Sequence, residues 1–327
     1  MGPAVRSGRF RRTVIADTVG LGISLVALMA SGDQFVIGVS RVAGAIRVRP
    51  TVVGAVIGGL GASLPELFVS TVASVQRNPE IAVGNLVGSI VANVCLALAI
   101  AALIAPVRVD SRTIRREAPL SVGAVALFAL LLLGGLSRLE GAVLTVALVV
   151  AIVVLMANAS QSPRGDELAL EVQEFFERPR PRLGPEVARS LVALTFMIAA
   201  SDLLVRSASG LAGRLGLAES FVGLTLVAVG TSAPLVAITI QAARRGNHDL
   251  LVGNVLGSNL FIALAGGAIL GLAQGGPGTA VSLASVALMA GVVVASWAFM
   301  ARGSLLNRWE AAALIVAYGA TLPFLSR

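Results

Sequence analysis

Apolar runs of about 20 residues recur along the whole chain, separated by short polar links. A run of this length spans a bilayer as a helix, and its continuous hydrophobicity differs from the alternation of a membrane-spanning strand. We count ten runs, which predicts an all-α integral membrane protein with about ten transmembrane helices. Their centres lie near Leu25, 56–72, Val91, Leu127, Val149, Met197, 227–240, Leu260, Ala290 and Ala313.

The composition agrees with a chain embedded in lipid. Apolar residues make up 56% of it and charged residues 13%, and the mean hydropathy is +0.90. A soluble domain has about a quarter of its residues charged. The lipid bilayer is therefore the predicted partner of most of the surface.

The net charge of +8 comes from 25 basic residues, all of them arginine. They lie in short links rather than on one face among aromatic side chains, so we expect no nucleic-acid partner. Sixteen of the 25 follow odd-numbered runs. Because cytoplasmic loops are enriched in arginine, these links are predicted to be cytoplasmic and both termini to lie outside. The four N-terminal arginines oppose this assignment.

One substantial polar segment separates the fifth run from the sixth. It divides the chain into a first membrane repeat (1–157), a cytoplasmic linker (158–189) and a second, inverted membrane repeat (190–327). The linker is too short for a separate folded domain. A solvated connection is its simplest interpretation, and a cation-sensing element is the alternative.

Two motifs each occur twice, at a single offset of 169 residues. Gly-Ala-Ser-Leu-Pro-Glu at 61–66 recurs as Gly-Thr-Ser-Ala-Pro-Leu at 230–235, and the Gly-Asn-x-x-Gly-Ser motif at 84–89 recurs at 253–258. Five runs separate the copies, so the second enters the membrane with the opposite orientation. Secondary transporters use such inverted repeats to build a binding site near the bilayer midplane.

Few polar residues outside the motifs call for an explanation. Asp33 and Asp202 are related by the same offset, and we predict helix-end or inter-repeat contacts for both, whereas Asp17 is assigned no repeat counterpart. A lone Cys95 excludes an intrachain disulfide. A lone His248 leaves no histidine-based metal site.

Both copies of the first motif place Ser and Pro in the middle of an apolar run. Proline breaks a helix, and carbonyl groups freed inside a membrane need protein, water or an ion as a partner. Hard cations prefer such carbonyl, hydroxyl, amide and carboxylate oxygens. A simple proline kink would explain one motif, but two aligned copies favour a cation site. No nucleophile–base set or lysine-containing phosphate loop indicates an enzyme.

Glu66 is the most specific candidate ligand, because an unpaired carboxylate near a span centre costs on the order of 3 kcal/mol. Asn93 lies one helical turn beyond Ser89, so its amide oxygen can face the same pocket. Asn85 and Asn254 are predicted to serve packing or gating rather than binding.

The duplicated motifs resemble the α-repeats of the sodium/calcium exchanger family, within the calcium/cation antiporter superfamily. The family pattern Gly-Thr-Ser-x-Pro-Glu, followed by Gly-Asn-x-x-Gly-Ser-Asn, corresponds here to 61–93 and 230–262. The resemblance implies two inverted five-helix repeats and an alternating-access antiporter of small cations, with no cofactor beyond transported Na⁺, Ca²⁺ or H⁺. We expect it in a prokaryotic plasma membrane. Carried over position by position, the implied cation-binding residues are Ser63, Glu66, Ser89, Asn93, Thr231, Ser232 and Ser258.

The chain departs from the family pattern at four positions. Ala62 replaces a threonine, Ile90 replaces the terminal asparagine of the first copy, Leu235 replaces the second glutamate, and Ile262 stands where a polar or acidic residue is usual. A single carboxylate should weaken Ca²⁺ far more than Na⁺ or H⁺, since unit charges at ~4 Å interact by roughly 4 kcal/mol at an effective dielectric of 20. Sodium/calcium exchange, monovalent or proton-coupled exchange, and a non-transporting membrane scaffold or sensor therefore remain open, as does the oligomeric state.

Overall fold

The computed structural model describes residues 3–46, 59–109, 113–159, 183–274 and 282–325. The helices of the first half are α1 (Pro3–Ala45), α2 (Leu64–Val75), α3 (Pro79–Ile104), α4 (Thr113–Leu133) and α5 (Arg138–Ala159). Those of the second half are α6 (Leu183–Leu215), α7 (Glu219–Arg244), α8 (248–274), α9 (Leu283–Gly303) and α10 (Arg308–Leu325). Strand β1 (Val107–Arg108) pairs antiparallel with strand β2 (Leu305–Leu306).

The helices have the lengths that a membrane requires. Within the described segments, eight are long and apolar enough to cross a bilayer. The other two are the shorter apolar α2, which a helical turn at Gly59–Gly61 precedes, and the 18-residue α10. The predicted all-α membrane architecture with about ten helices is confirmed. The predicted linker falls mostly on 160–182, outside the described residues, and α6 begins within its predicted range at Leu183.

The second half repeats the first in detail. A π-helical segment begins at Asn93 in α3 and another at Ile262 in α8, 169 residues later. The turns after α2 and α7 are closed by equivalent backbone hydrogen bonds and share a left-handed residue, Arg77 (φ 59°) and Gly246 (φ 71°). Because the two copies are five helices apart, they run through the membrane in opposite directions.

The loops sort into two faces of the membrane. Consecutive spanning helices alternate in direction, so the loops after odd-numbered helices share one side. Pairing of β1, after α3, with β2, after α9, agrees with this arrangement. We call this side, which includes the central linker, the linker face, and the side with the loops after even-numbered helices the distal face.

Helices α1 and α6 form a long antiparallel pair at one side of the bundle. With 43 residues, α1 measures roughly 65 Å, more than a bilayer's thickness. The pair is tied near both ends, by Arg214 Nε to Asp17 Oδ2 at 2.6 Å and by Arg41 Nη1 to Glu186 Oε1 at 2.9 Å. Glu186 lies 169 residues after Asp17, so our assignment of Asp17 as lacking a repeat counterpart is wrong.

Close packing of α3 against α7 fixes the centre of the bundle. A Cβ atom at Gly88 would lie 2.6 Å from Ala228 Cβ and would also clash with the Leu224 carbonyl oxygen. A Cβ atom at Gly84 would overlap the backbone of α7 in the same way. Glycine thus lets the two backbones touch at the first copy, whereas a Cβ atom at Gly253 meets nothing among the described residues.

The two prolines behave differently. Pro65 stands in the first turn of α2, after the helical turn at Gly59–Gly61 has ended, so the helix is interrupted there as predicted. Pro234 lies inside the continuous helical segment Ala228–Arg244. The predicted break in the second copy is therefore wrong. Membrane helices tolerate such a proline because neighbouring groups and local π-helical adjustments satisfy the freed carbonyl, and here the π-helical segment Gly223–Val227 comes directly before.

Candidate cation-binding site

The interrupted helix positions the first-copy side chains. Ser63 is the residue before α2, and Glu66 follows in the first helical turn, so both lie at the break in the middle of the bundle. α3 carries Ser89 and Asn93 on successive turns. From the second repeat, α7 supplies Thr231 and Ser232, and α8 supplies Ser258. Ser258 completes the predicted set, and all seven residues have an exposure that rounds to 0%.

Glu66 is held by the opposite repeat through one of its oxygens. Its Oε1 accepts a hydrogen bond from Ser232 Oγ at 3.2 Å. Its Oε2 is buried and has no hydrogen-bond partner among the described residues. Leaving a buried carboxylate oxygen without a partner is costly, and buried charges in proteins are paired with other groups or coordinate metal ions.

Ser258 links two further members of the site, Ser63 and Asn93. Its Oγ lies 2.8 Å from Ser63 Oγ and accepts a hydrogen bond from Asn93 Nδ2 at 3.2 Å. Asn93 Nδ2 also donates to Asn259 Oδ1 at 2.9 Å. With its amide nitrogen engaged in this way, Asn93 leaves its Oδ1 buried and without a partner in the described part of the chain. A second orphan acceptor therefore accompanies Glu66 Oε2 in the buried polar centre.

Ser89 and Thr231 complete the contact between the repeats. Their hydroxyl oxygens are 3.5 Å apart, and Thr231 Oγ1 is 3.2 Å from Asn85 Oδ1. Thr231 also lies 3.1 Å from the carbonyl oxygen of Ala228 in its own helix. The structure therefore brings all seven predicted side chains into one polar region built from both repeats.

Asn85 acts as a brace behind the site. Its Nδ2 donates to the carbonyl oxygen of Glu66 and to Ser70 Oγ, both at 3.0 Å, while its Oδ1 lies near Thr231. These bonds agree with the predicted packing role, and they connect α3 to both α2 and α7.

Two residues of this region, Ser70 and Asn259, were not in the predicted set. Ser70 contacts Asn85, and its position one turn after Glu66 was the available signal. Asn259 binds Asn93, and its place at the end of the Gly-Asn-x-x-Gly-Ser-Asn motif could have identified it.

The second copy contributes hydroxyl and amide groups but no carboxylate at the equivalent positions. Leu235, at the position of Glu66, is 1% exposed, and Ile262, at the position of Asn93, is fully buried. Both replacements are therefore part of the packed interior. The site is asymmetric: its charge comes from one repeat, and its hydroxyl groups come from both.

A ten-helix bundle of two inverted repeats, with a polar centre that neither repeat could form alone, is the architecture of a secondary transporter. The family model of the sodium/calcium exchanger protein matches residues 17–157 and 186–326, two segments in the same 169-residue register. The chain belongs to the sodium/calcium exchanger family, whose members are transporters rather than enzymes.

Similar proteins agree with this assignment. The chain is 35% identical over 254 residues to the putative antiporter CaxA of Alkalimonas amylolytica, covering 77% of this chain and 79% of that protein. It is 28% identical over 339 residues to the sodium/calcium exchanger MaX1 of Methanosarcina acetivorans, covering 92% and 95%. A structure of the sodium–calcium exchanger NCX_Mj soaked with Na⁺ and Sr²⁺ matches with a TM-score of 0.64 and 26% identity, over 95% of this chain and 98% of that one.

Proposed function

We propose that the chain exchanges small cations across a prokaryotic plasma membrane, binding them at Glu66 between the two repeats. The observation that carries the proposal is the pair of buried, unpartnered oxygens, Glu66 Oε2 and Asn93 Oδ1. Neutral ligands would come from Ser63, Ser89, Thr231, Ser232 and Ser258. Oxygen donors of these kinds suit Na⁺ and Ca²⁺.

Sodium and calcium are the first candidate cargo, because the family and the relative MaX1 carry these ions in their names. In this scheme the two ions occupy the site alternately, and each binds in exchange for the other. Ser232 of the second repeat donates a hydrogen bond to Glu66 of the first at 3.2 Å, so both repeats position the carboxylate. A relative movement of the repeats would thus change access to the ion from one face to the other.

Monovalent or proton-coupled exchange is the second candidate, and the buried Leu235 favours it. With one carboxylate, Na⁺ or H⁺ would neutralise the site, while Ca²⁺ would leave one uncompensated positive charge in a low-dielectric interior. The arginine distribution supports a cytoplasmic linker face in either case. The division into 1–157, 158–189 and 190–327 is part of the same proposal.

The test is radiolabelled Ca²⁺ uptake into proteoliposomes loaded with Na⁺, in parallel with a pH gradient and with ²²Na⁺ exchange. Ca²⁺ uptake driven by Na⁺ would establish the first candidate. Na⁺ movement driven by Na⁺ or H⁺ gradients, without Ca²⁺ uptake, would establish the second. Absence of all these fluxes from folded protein would overturn the proposal and favour a non-transporting scaffold or sensor.

A further inference from the structure

Two polar contacts fasten α6 to the turn between α2 and α3 on the distal face. Gln76 Nε2 donates to Asp202 Oδ1 at 2.6 Å, and Asn78 Nδ2 donates to Ser209 Oγ at 2.6 Å. Both contacts join one repeat to the other. They hold α6 on the distal face against the turn that follows α2, the helix that carries Glu66.

The 169-residue register defines an equivalent set on the linker face. Arg245 corresponds to Gln76 and Asp33 to Asp202, while Ser40 and Asn247 correspond to the residues of the second contact. Arg245 and Gln76 occupy the same place in equivalent turns, directly before the left-handed residue that ends each helix. The backbone is thus already formed for Arg245 to bind Asp33 as Gln76 binds Asp202.

The equivalent contact is absent from this structure. Asp33 and Arg245 are both exposed, and neither side chain forms a hydrogen bond or ion pair with the described residues. Helix α6 packs closely along α2, whereas α1 makes few contacts with α7. The exposure of equivalent side chains reflects this difference in packing. Val69 in α2 is 0% exposed, but its counterpart Ile238 in α7 is 44% exposed.

The ion pairs between α1 and α6 couple a movement of one helix to a movement of the other. Asp17 to Arg214 and Glu186 to Arg41 join the pair near its two ends. A movement that presses α1 onto α7 must therefore carry α6 away from α2. When α1 and α6 move together in this way, the inter-repeat contacts on the distal face and those on the linker face form alternately.

We infer that Asp33 and Arg245 form an ion pair that closes the linker face in the opposite transport state, an inference that rests on the proposed alternating exchange. The two sides are not chemically equal. Asp202 is also paired with Arg206 of its own helix at 2.9 Å, whereas the position equivalent to Arg206 is Ile37. Asp33 thus has no competing basic partner one turn along α1, and its carboxylate is available to Arg245.

The test uses two double-cysteine variants in a Cys95→Ala background, which removes the single native cysteine. Gln76→Cys with Asp202→Cys reports distal closure and matches the contact seen here. Asp33→Cys with Arg245→Cys reports linker-face closure. We expect both variants to form an intramolecular cross-link in proteoliposomes, and each cross-link to stop exchange until it is reduced.

A four-cysteine variant examines whether the closures exclude each other. We expect molecules with one cross-link or the other, but none with both. Failure of the linker-face pair to cross-link under any Na⁺, Ca²⁺ or pH condition that leaves the distal pair reactive would overturn the inference, as would molecules carrying both cross-links. Because cross-linking does not depend on flux, a chain that fails to transport would be recognised separately.

A charge reversal separates an ion pair from simple proximity. Asp33→Arg and Arg245→Asp should each favour the state seen here by about threefold, since a partly exposed ion pair contributes modestly to such an equilibrium. The double variant should restore the wild-type balance between the two states. In all of these proteins the balance is measured as thiol labelling of an added Ile238→Cys substitution. An unchanged balance in both single variants would contradict the inference.

Discussion

The two copies of the motif share one scaffold but differ in chemistry. The first provides Glu66 and Asn93, and the second has Leu235 and Ile262 at the same positions. Even so, the second copy keeps the hydroxyl groups, and Ser232 and Ser258 contact the side chains that the first copy supplies. Duplication has therefore preserved the backbone that forms the candidate site, while its single carboxylate comes from one repeat.

The largest effect is expected from removing that charge. Glu66→Gln keeps the size of the side chain but deletes an attraction of roughly 4 kcal/mol at ~4 Å and an effective dielectric of 20, so exchange of every cation should fall to background. Flux in proteoliposomes measures this loss. The matched control is Glu80→Gln, an exposed acid in the first turn of α3, which should retain full exchange. Residual flux in the Glu66 variant would mean that the carboxylate is dispensable.

Restoring symmetry should produce the next largest effect. Leu235→Glu adds a second carboxylate opposite the first and should raise Ca²⁺ affinity by about tenfold or more, because the divalent charge is then balanced. Equilibrium Ca²⁺ binding to the purified proteins measures the change in affinity. Leu235→Gln has nearly the same shape without the charge and should not strengthen binding. Equal affinities in the two variants would refute the charge argument.

The scaffold itself also differs between the copies at one glycine. Gly84→Ala forces a Cβ atom against backbone of α7, with Leu224 N at 2.9 Å, and should cost about 2 kcal/mol of stability. Its counterpart Gly253→Ala meets no described atom within 4 Å and should be nearly neutral. Thermal unfolding in detergent compares the two. Similar losses of stability would show that the α3–α7 contact is not the tight one.

The smallest difference concerns the two ends of the α1–α6 pair. The Glu186 side chain is 9% exposed and meets two arginines, at 2.9 and 3.5 Å, whereas the Asp17 side chain is 18% exposed and meets one. We expect Glu186→Gln to lower stability by about 1 kcal/mol and Asp17→Asn by about half as much. Chemical denaturation of both variants in one detergent checks the ranking, and the reverse order would contradict it.

The sequence alone predicted the parts of this protein that depend on local pattern. Continuous apolar runs predicted the helices, and the common offset of the motifs predicted which side chains meet, because repeats in one register must place equivalent residues alike. Pro234 was mispredicted because a membrane helix continues through a proline when neighbouring groups satisfy the freed carbonyl, and the motif does not indicate whether they do.

Other features lay beyond the sequence for a physical reason. Asp33 and Asp202 are the same residue in the same register, yet one is paired across the repeats and the other is not. The local sequence does differ, with Arg206 one turn after Asp202 and Ile37 at the equivalent place in α1. It does not show which carboxylate is paired across the repeats, because that depends on how closely α1 and α6 pack against the opposite repeat. The brace formed by Asn85 and Ser70 likewise depends on how α2 and α3 pack, which a motif does not record.

The most direct test of cation binding at Glu66 is crystallographic. Crystals soaked separately with Tl⁺ and Sr²⁺, as probes for monovalent and divalent cations, would reveal bound ions by anomalous scattering. We expect an anomalous peak within bonding distance of Glu66 Oε2, with Tl⁺ bound more fully than Sr²⁺ in the wild type and the order reversed in Leu235→Glu. A cation bound elsewhere in the bundle, with Glu66 left without one in both soaks, would contradict it.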